Sequence, residues 1–227
     1  MRVEPGRAGE TWALGPALAP GEPFPFVCAG CGGCCRGRRD LVLSGYDLYR
    51  IARRLRLSPR IAAHAFCKEY IAPQSLLPAL CLTPDPQTGD CRFLEGGACA
   101  IHEARPLACA LYPLGQSIDP AAGTAEYRAQ LPLCGVQAGG RTLRDYLRDA
   151  GIDERTGIDV RWAAACTGLS QRLHAAGGET HPHFRTAVRR IARALYWDYA
   201  LGDEFYPQFQ QNIAALLPLL DRLLAKP

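Results

Sequence analysis

Apolar positions recur at helical spacing in six stretches of the chain. Leu48, Ile51, Ala52 and Leu55 share a face behind Ser44 and Asp47, which resemble a capping box, so a first helix is expected over about 45–56. Ser58 as N-cap, with Pro59 at the first helical position, opens a second that should run to about Tyr70. Thr142 and Asp145 cap a third, carrying Leu143, Tyr146, Leu147 and Ala150 and stopping at Gly151. A fourth carries Trp162, Cys166, Leu169 and Leu173. A fifth aligns Val188, Ile191, Ala192, Leu195 and Tyr199, and a sixth aligns Phe209, Ile213, Leu216, Leu220 and Leu224, with Pro218 expected to kink or break it.

Between the second and third helices the pattern changes. Residues 72–138 hold repeated Pro and Gly and short apolar runs, better suited to loops wrapped on a metal than to long regular elements. No stretch alternates convincingly as a strand. The expected architecture is therefore mainly α with little β: an irregular, metal-bound, cysteine-rich core packed with about six helices. Residues 1–25 carry five prolines and four glycines without apolar periodicity and read as a flexible lead-in. Residues 26–138 read as the cysteine-cluster domain, and 139–227 as C-terminal helices packed on it in one compact unit.

Composition narrows the functional classes. Apolar residues make up 48% of the 227, charged residues 21%, and the net charge is +4, all ordinary for a soluble globular chain and no indication of nucleic acid. Short basic clusters such as Arg36, Arg38 and Arg39 read as solvated faces. No run approaches the roughly 20 apolar residues needed to span a bilayer, and the start lacks the uninterrupted apolar stretch of a secretory signal. No membrane role is expected, and a cytoplasmic location is.

Eleven cysteines are the anomaly. An odd number in a reducing compartment argues against a disulfide framework and for metal ligation. The first group is Cys28-Ala-Gly-Cys31-Gly-Gly-Cys34-Cys35, where two-residue gaps let sulfurs face one centre and glycines permit the positive φ of a tight wrap. Cys28, Cys31 and Cys34 have ferredoxin-like spacing, but the fourth cysteine expected there falls at Arg38. Successive side chains diverge, so Cys34 and Cys35 are expected to do different jobs. The second group is Cys91, Cys99 and Cys109, with Cys134 beyond it.

Through CAGCGGCC and CRFLEGGACAIHEARPLACALYPL the sequence resembles the YkgJ-type cysteine-cluster proteins, a zinc- or iron-chelating family marked by CxxCxxCC. The resemblance covers about residues 26–136. It implies eight ligand positions: Cys28, Cys31, Cys34, Cys35, Cys91, Cys99, Cys109 and Cys134. His102 departs from the family's usual tyrosine. The family includes flagellin lysine N-methylases, whose motif is assigned a four-iron cluster, so the resemblance points toward an iron-sulfur cluster of the 4Fe-4S type, with zinc as the alternative.

Four thiolates around either metal leave about two negative charges, a cost that a fixed guanidinium reduces. Arg105 and Arg36 are placed in sequence to supply one. Cys67 and Cys166 lie on apolar helix faces and read as packing residues, Cys81 is supported only by its nearness to Cys91, and His181-Pro-His183 lacks further ligands. No catalytic residue can be assigned, since no Ser-His-Asp order, Walker loop or dinucleotide motif occurs. Three functions follow: a non-catalytic cluster protein with a redox, sensing or maturation role toward an unidentified partner; a cluster-dependent enzyme such as a methyltransferase; or a structural zinc module.

Overall fold

The computed structural model describes residues 15–38, 41–130 and 135–225. Its architecture is mixed α/β, which corrects the expectation of a mainly α fold with little β. Among the described residues helix accounts for 47% and strand for 19%, in seven α-helices and ten strands forming four sheets.

In chain order the elements are β1 (Ala17–Leu18), β2 (Phe26–Val27), β3 (Val42–Leu43), α1 (Gly45–Leu55), α2 (Pro59–Phe66), β4 (Cys67–Ile71) and β5 (Pro78–Leu82). There follow β6 (Leu94–Glu95), β7 (Ala98–Cys99), α3 (Leu107–Leu111), β8 (Leu114–Asp119), β9 (Thr124–Ala129) and β10 (Val136–Gln137). The chain closes with α4 (Leu143–Asp149), α5 (Ile152–Ala175), α6 (Phe184–Ala192) and α7 (Phe205–Leu223).

The strands arise where local pattern was a poor guide. The second helix ends at Phe66, because Cys67 turns extended (φ −124°, ψ 157°) and Cys67–Ile71 pairs antiparallel with Pro78–Leu82. Cys67, Phe66 and Tyr70 fit a helical face equally well on paper; the partner strand decides between the two. β5 is almost wholly buried, a continuous apolar run without alternation, and β3 flanks its other edge. β8 and β9 form a hairpin whose turn is closed by Asp119: its carboxylate accepts the N–H groups of Ala121 and Ala122, and Gly123 takes φ 70°. β1 adds to the far edge of β9, so residues 17 and 18 of the expected flexible lead-in are strand-paired. Residues 1–14 lie outside the described residues.

The helical half follows its caps. Capping boxes at Ser44/Asp47 and Thr142/Asp145 start α1 and α4. The face from Val188 to Tyr199 is carried by α6 and a π-helical turn, Arg193–Trp197, rather than one regular helix. α7 runs unbroken through Pro218.

Two apolar clusters result. The larger gathers α1, α2, β3 to β5, α6, α7 and the C-terminal half of α5 around Leu48, Ile51, Leu80, Leu169, Ile191 and Leu195. The smaller packs Phe24, Phe26, Leu111, Leu114, Tyr127, Leu143 and Tyr146. α5 joins them, with Ile152 in the smaller and Leu173 in the larger. α3 straddles the boundary: Cys109 packs on the larger cluster and Ala110 and Leu111 on the smaller.

Candidate metal centre

The first cysteine loop is shaped by its glycines. Gly32 takes φ 66° and leads into a 3-10 turn over Gly33–Cys35. A Cβ at Gly32 would stand 2.5 Å from the Gly97 carbonyl oxygen, so no other residue allows this loop to close on the β6–β7 hairpin. The two cysteine loops are then tied together directly. The Cys91 N–H donates to the Cys35 carbonyl (2.8 Å), and the Asp90 carboxylate accepts the Gly37 N–H (2.9 Å).

The result is a group of thiols. Cys35 is buried and its thiol hydrogen-bonds with Cys34, Cys91 and Cys99, which pushes it well above the ordinary range. The reciprocal effect lowers Cys91 to about 6 and Cys99 to about 7, chiefly through the Cys35 bond, against burial. Each of these two also accepts a backbone N–H from two residues on, Phe93 for Cys91 and Ile101 for Cys99. Such bonds favour the thiolate over the thiol. Cys109 lies beside the group, within the fields of Cys34, Cys91 and Cys99, and burial pushes it up to about 12.

Cys34 and Cys35 therefore interact within one sulfur group.

The donor chemistry fits a thiophilic metal. The contacting atoms are all sulfur, they come from both cysteine loops, and two of them accept backbone N–H groups that favour the thiolate. Among the described residues no three Cys, His, Asp or Glu side chains are arrayed around a single point in closed metal geometry; the thiols bond one another, with Cys35 central.

The remaining predicted residues are placed unequally. Cys28 and Cys31 are exposed. Cys28 Sγ is 4.0 Å from His102 Nε2, and Arg105 Nη1 lies 2.9 Å from His102 Nδ1, so Arg105 acts on the Cys28 side through the imidazole. Arg36 faces outward, its side chain 62% exposed and 3.7 Å from Asp90. Cys134 lies outside the described residues. Cys67 and Cys81 lie on the paired strands β4 and β5, and burial first, then the nearby Cys81, raises Cys67 to about 12. Burial does the same to Cys166, to about 12, against the larger cluster.

Two residues of this site escape sequence reasoning. His102 stands 74 positions from the cysteine it contacts, and burial, then Arg105, lowers its basicity. Arg38, read as part of a solvated basic cluster, instead acts on the Cys109 thiol. The sequence marks His102 only as a departure from the usual tyrosine of the CxxCxxCC pattern, and Arg38 only by nearness to cysteines.

α1 braces the second loop. The Asp47 carboxylate accepts the Leu107 N–H (2.9 Å) at the start of α3, and Arg50 donates to the Glu103 carbonyl and to that of Arg105. Asp47 is itself buried against Arg155 (2.9 Å), which also binds Asp159 (2.8 Å). A cleft of about 460 Å³ opens alongside, with Arg38, Asp47, Ala108, Tyr112, Gln116 and Trp162 among its walls.

Residues 27–134 match the CxxCxxCC family, described as a "putative zinc- or iron-chelating domain". No curated protein and no solved structure matches the chain.

Proposed function

We propose that the CxxCxxCC domain, which this chain carries over residues 27–134, holds an iron-sulfur cluster serving a redox, sensing or maturation role. One observation carries the reading: four thiols, from Cys34, Cys35, Cys91 and Cys99, meet in one group. Cys109 stands beside them and Cys28 lies further out next to His102, so the sulfurs outnumber the four that a single zinc takes. A surplus suits a polynuclear centre, or a centre whose ligands exchange. When bound, the cluster supplies one-electron chemistry; the chain's own part is to hold thiolates with N–H donors and to keep Cys35 from water. Exposed Cys28 and Cys31 stay reduced in the cytoplasm, the compartment this reading requires.

The test is protein purified without oxygen. Iron and inorganic sulfide with broad visible absorption are expected. Colourless protein with stoichiometric zinc and no sulfide overturns the iron-sulfur reading and leaves the structural-zinc one.

The cleft beside α3 favours a second reading, a cluster-dependent enzyme such as a methyltransferase, because it offers a walled space whose lining includes Ala108, the residue before Cys109. A change in the cluster's visible spectrum on adding S-adenosylmethionine is expected in that case. An unchanged spectrum at saturating concentration removes it.

A further inference from the structure

The chain between Cys99 and Cys109 has only short regular pieces of its own. A 3-10 turn holds His102–Ala104, and α3 begins at Leu107. Pro106 occupies the N-cap of α3, where its side chain has no acceptor to offer, and no side-chain cap bond is made there. The Leu107 N–H, at the first helical position, must find its acceptor elsewhere.

That acceptor comes from α1. Asp47 Oδ1 accepts the Leu107 N–H at 2.9 Å and Arg155 Nη2 at 2.9 Å, while Oδ2 accepts the Ser44 N–H at 3.1 Å and its hydroxyl at 3.0 Å. Arg50, nearly one turn further on, donates to the carbonyls of Glu103 and Arg105. α1 thus grips the segment by both its N–H and its C=O groups. Capping α1 does not account for the burial of Asp47: Asp145 makes the same capping box with its side chain 33% exposed, against 3% for Asp47. Burying a carboxylate costs more than a helix cap returns, so the bonds to Arg155 and Leu107 are what hold Asp47 inside.

Cys109 lies in the first turn of α3, its own N–H bonded to the Pro106 carbonyl at 3.0 Å, so it goes where Leu107 is held. We propose that Asp47 is a positioning residue of the metal site: with Arg50, it fixes Cys109 relative to Cys99. The grip itself needs no metal, while its use rests on the metal-binding reading above. Asp47 acts through the Leu107 backbone rather than on a thiol, as outer partners that orient ligands do.

Because Asp47 also caps α1 and pairs with Arg155, its bond to the loop is best removed from the other end. Leu107→Pro deletes the N–H at a first helical position, which accommodates proline, behind a Pro106 that is already extended (ψ 158°). Leu107→Ala keeps the N–H and serves as the side-chain control. Arg50→Met releases the two carbonyls and serves if Leu107→Pro does not fold. In the full, reduced, metal-free chain, the rate of iodoacetamide alkylation is read at Cys109 by peptide mass spectrometry, with Cys166 as the reference thiol of the larger cluster. Leu107→Pro and Arg50→Met should speed alkylation of Cys109 by about tenfold, as loss of a hydrogen bond to a charged group eases local opening, and leave Cys166 unchanged. Titration of the same chains with Co²⁺ against a competing chelator, read in the sulfur-to-cobalt charge-transfer band, should show affinity about tenfold weaker or more. Leu107→Ala should match the wild type in both.

Unchanged Cys109 alkylation in the folded variants overturns the grip. Equal acceleration at Cys166, or in Leu107→Ala, overturns it too, by making the effect one of general stability or of side-chain packing. Faster alkylation with unchanged Co²⁺ affinity overturns the role at the metal site alone. A wild type that never develops the band brings down the metal-binding reading, and that role with it.

Discussion

At Gly45 the missing side chain decides how closely two helices approach. A Cβ there would stand 2.0 Å from the Leu195 carbonyl oxygen and 2.7 Å from the Trp162 ring, so Gly45→Ala forces α1 away from α5 and the π-helical turn. Overpacking of this kind costs about 1–3 kcal/mol, and chemical denaturation should show it as a lowered midpoint. A variant as stable as the wild type would mean that these contacts relax freely. Legibility at this scale divides by chemistry. The cysteine spacings, with glycines between, announced a sulfur-rich site, because a ligand loop is a local object. His102 and Arg38 gave no such notice. A single histidine or arginine means nothing until the fold brings a cysteine from the other loop beside it.

At the scale of elements, helices announce themselves through caps and strands do not. The Thr142 hydroxyl accepts the Asp145 N–H (3.3 Å) and donates to its carboxylate (2.8 Å), so the start of α4 is written in four residues. Thr142→Ala should cost roughly 1 kcal/mol in denaturant unfolding at neutral pH. The same box gives a pH dependence. Hydrogen bonds from the Thr142 backbone N–H, first, and its hydroxyl hold Asp145 below the usual carboxylate range. A group whose folded pKa is depressed stabilises above its unfolded pKa, and that contribution disappears as pH falls through the folded value. Asp145→Asn should therefore be less stable than the wild type at pH 7, the gap closing in acid. A gap that widens in acid would contradict the cap. β4 and β5 had no comparable signal, because pairing is decided by a partner across the sheet and β5 is buried on both faces. The β8–β9 hairpin leaves a clearer local trace: Asp119-Pro-Ala-Ala-Gly123 is a turn, and Leu114, Gln116 and Ile118 alternate before it.

Across the whole molecule, two apolar clusters share α5 and meet where α3 carries Cys109. Asp47, Arg155 and Asp159 tie α1, α3 and α5 at that junction; Asp47 was readable only as a cap, since its partner lies 108 residues on. The cysteine loops have little regular structure of their own beyond the short β6–β7 hairpin. On the proposed reading a metal centre crosslinks them, and a centre that binds only the folded chain stabilises it by linkage. Removing metal from the native protein with a chelator should lower the thermal midpoint. An identical midpoint before and after would show that the loops hold without it.

The central claim is that Cys34, Cys35, Cys91 and Cys99 form one metal centre with Cys35 in its midst. Metal per chain, measured in anaerobically purified Cys35→Ser beside Cys67→Ser, tests it most directly. Cys35→Ser should lose most of its metal, while Cys67→Ser, altered in a thiol of the β4–β5 sheet, should keep the wild-type complement. A full complement in Cys35→Ser, or an equal loss in Cys67→Ser, would contradict the claim.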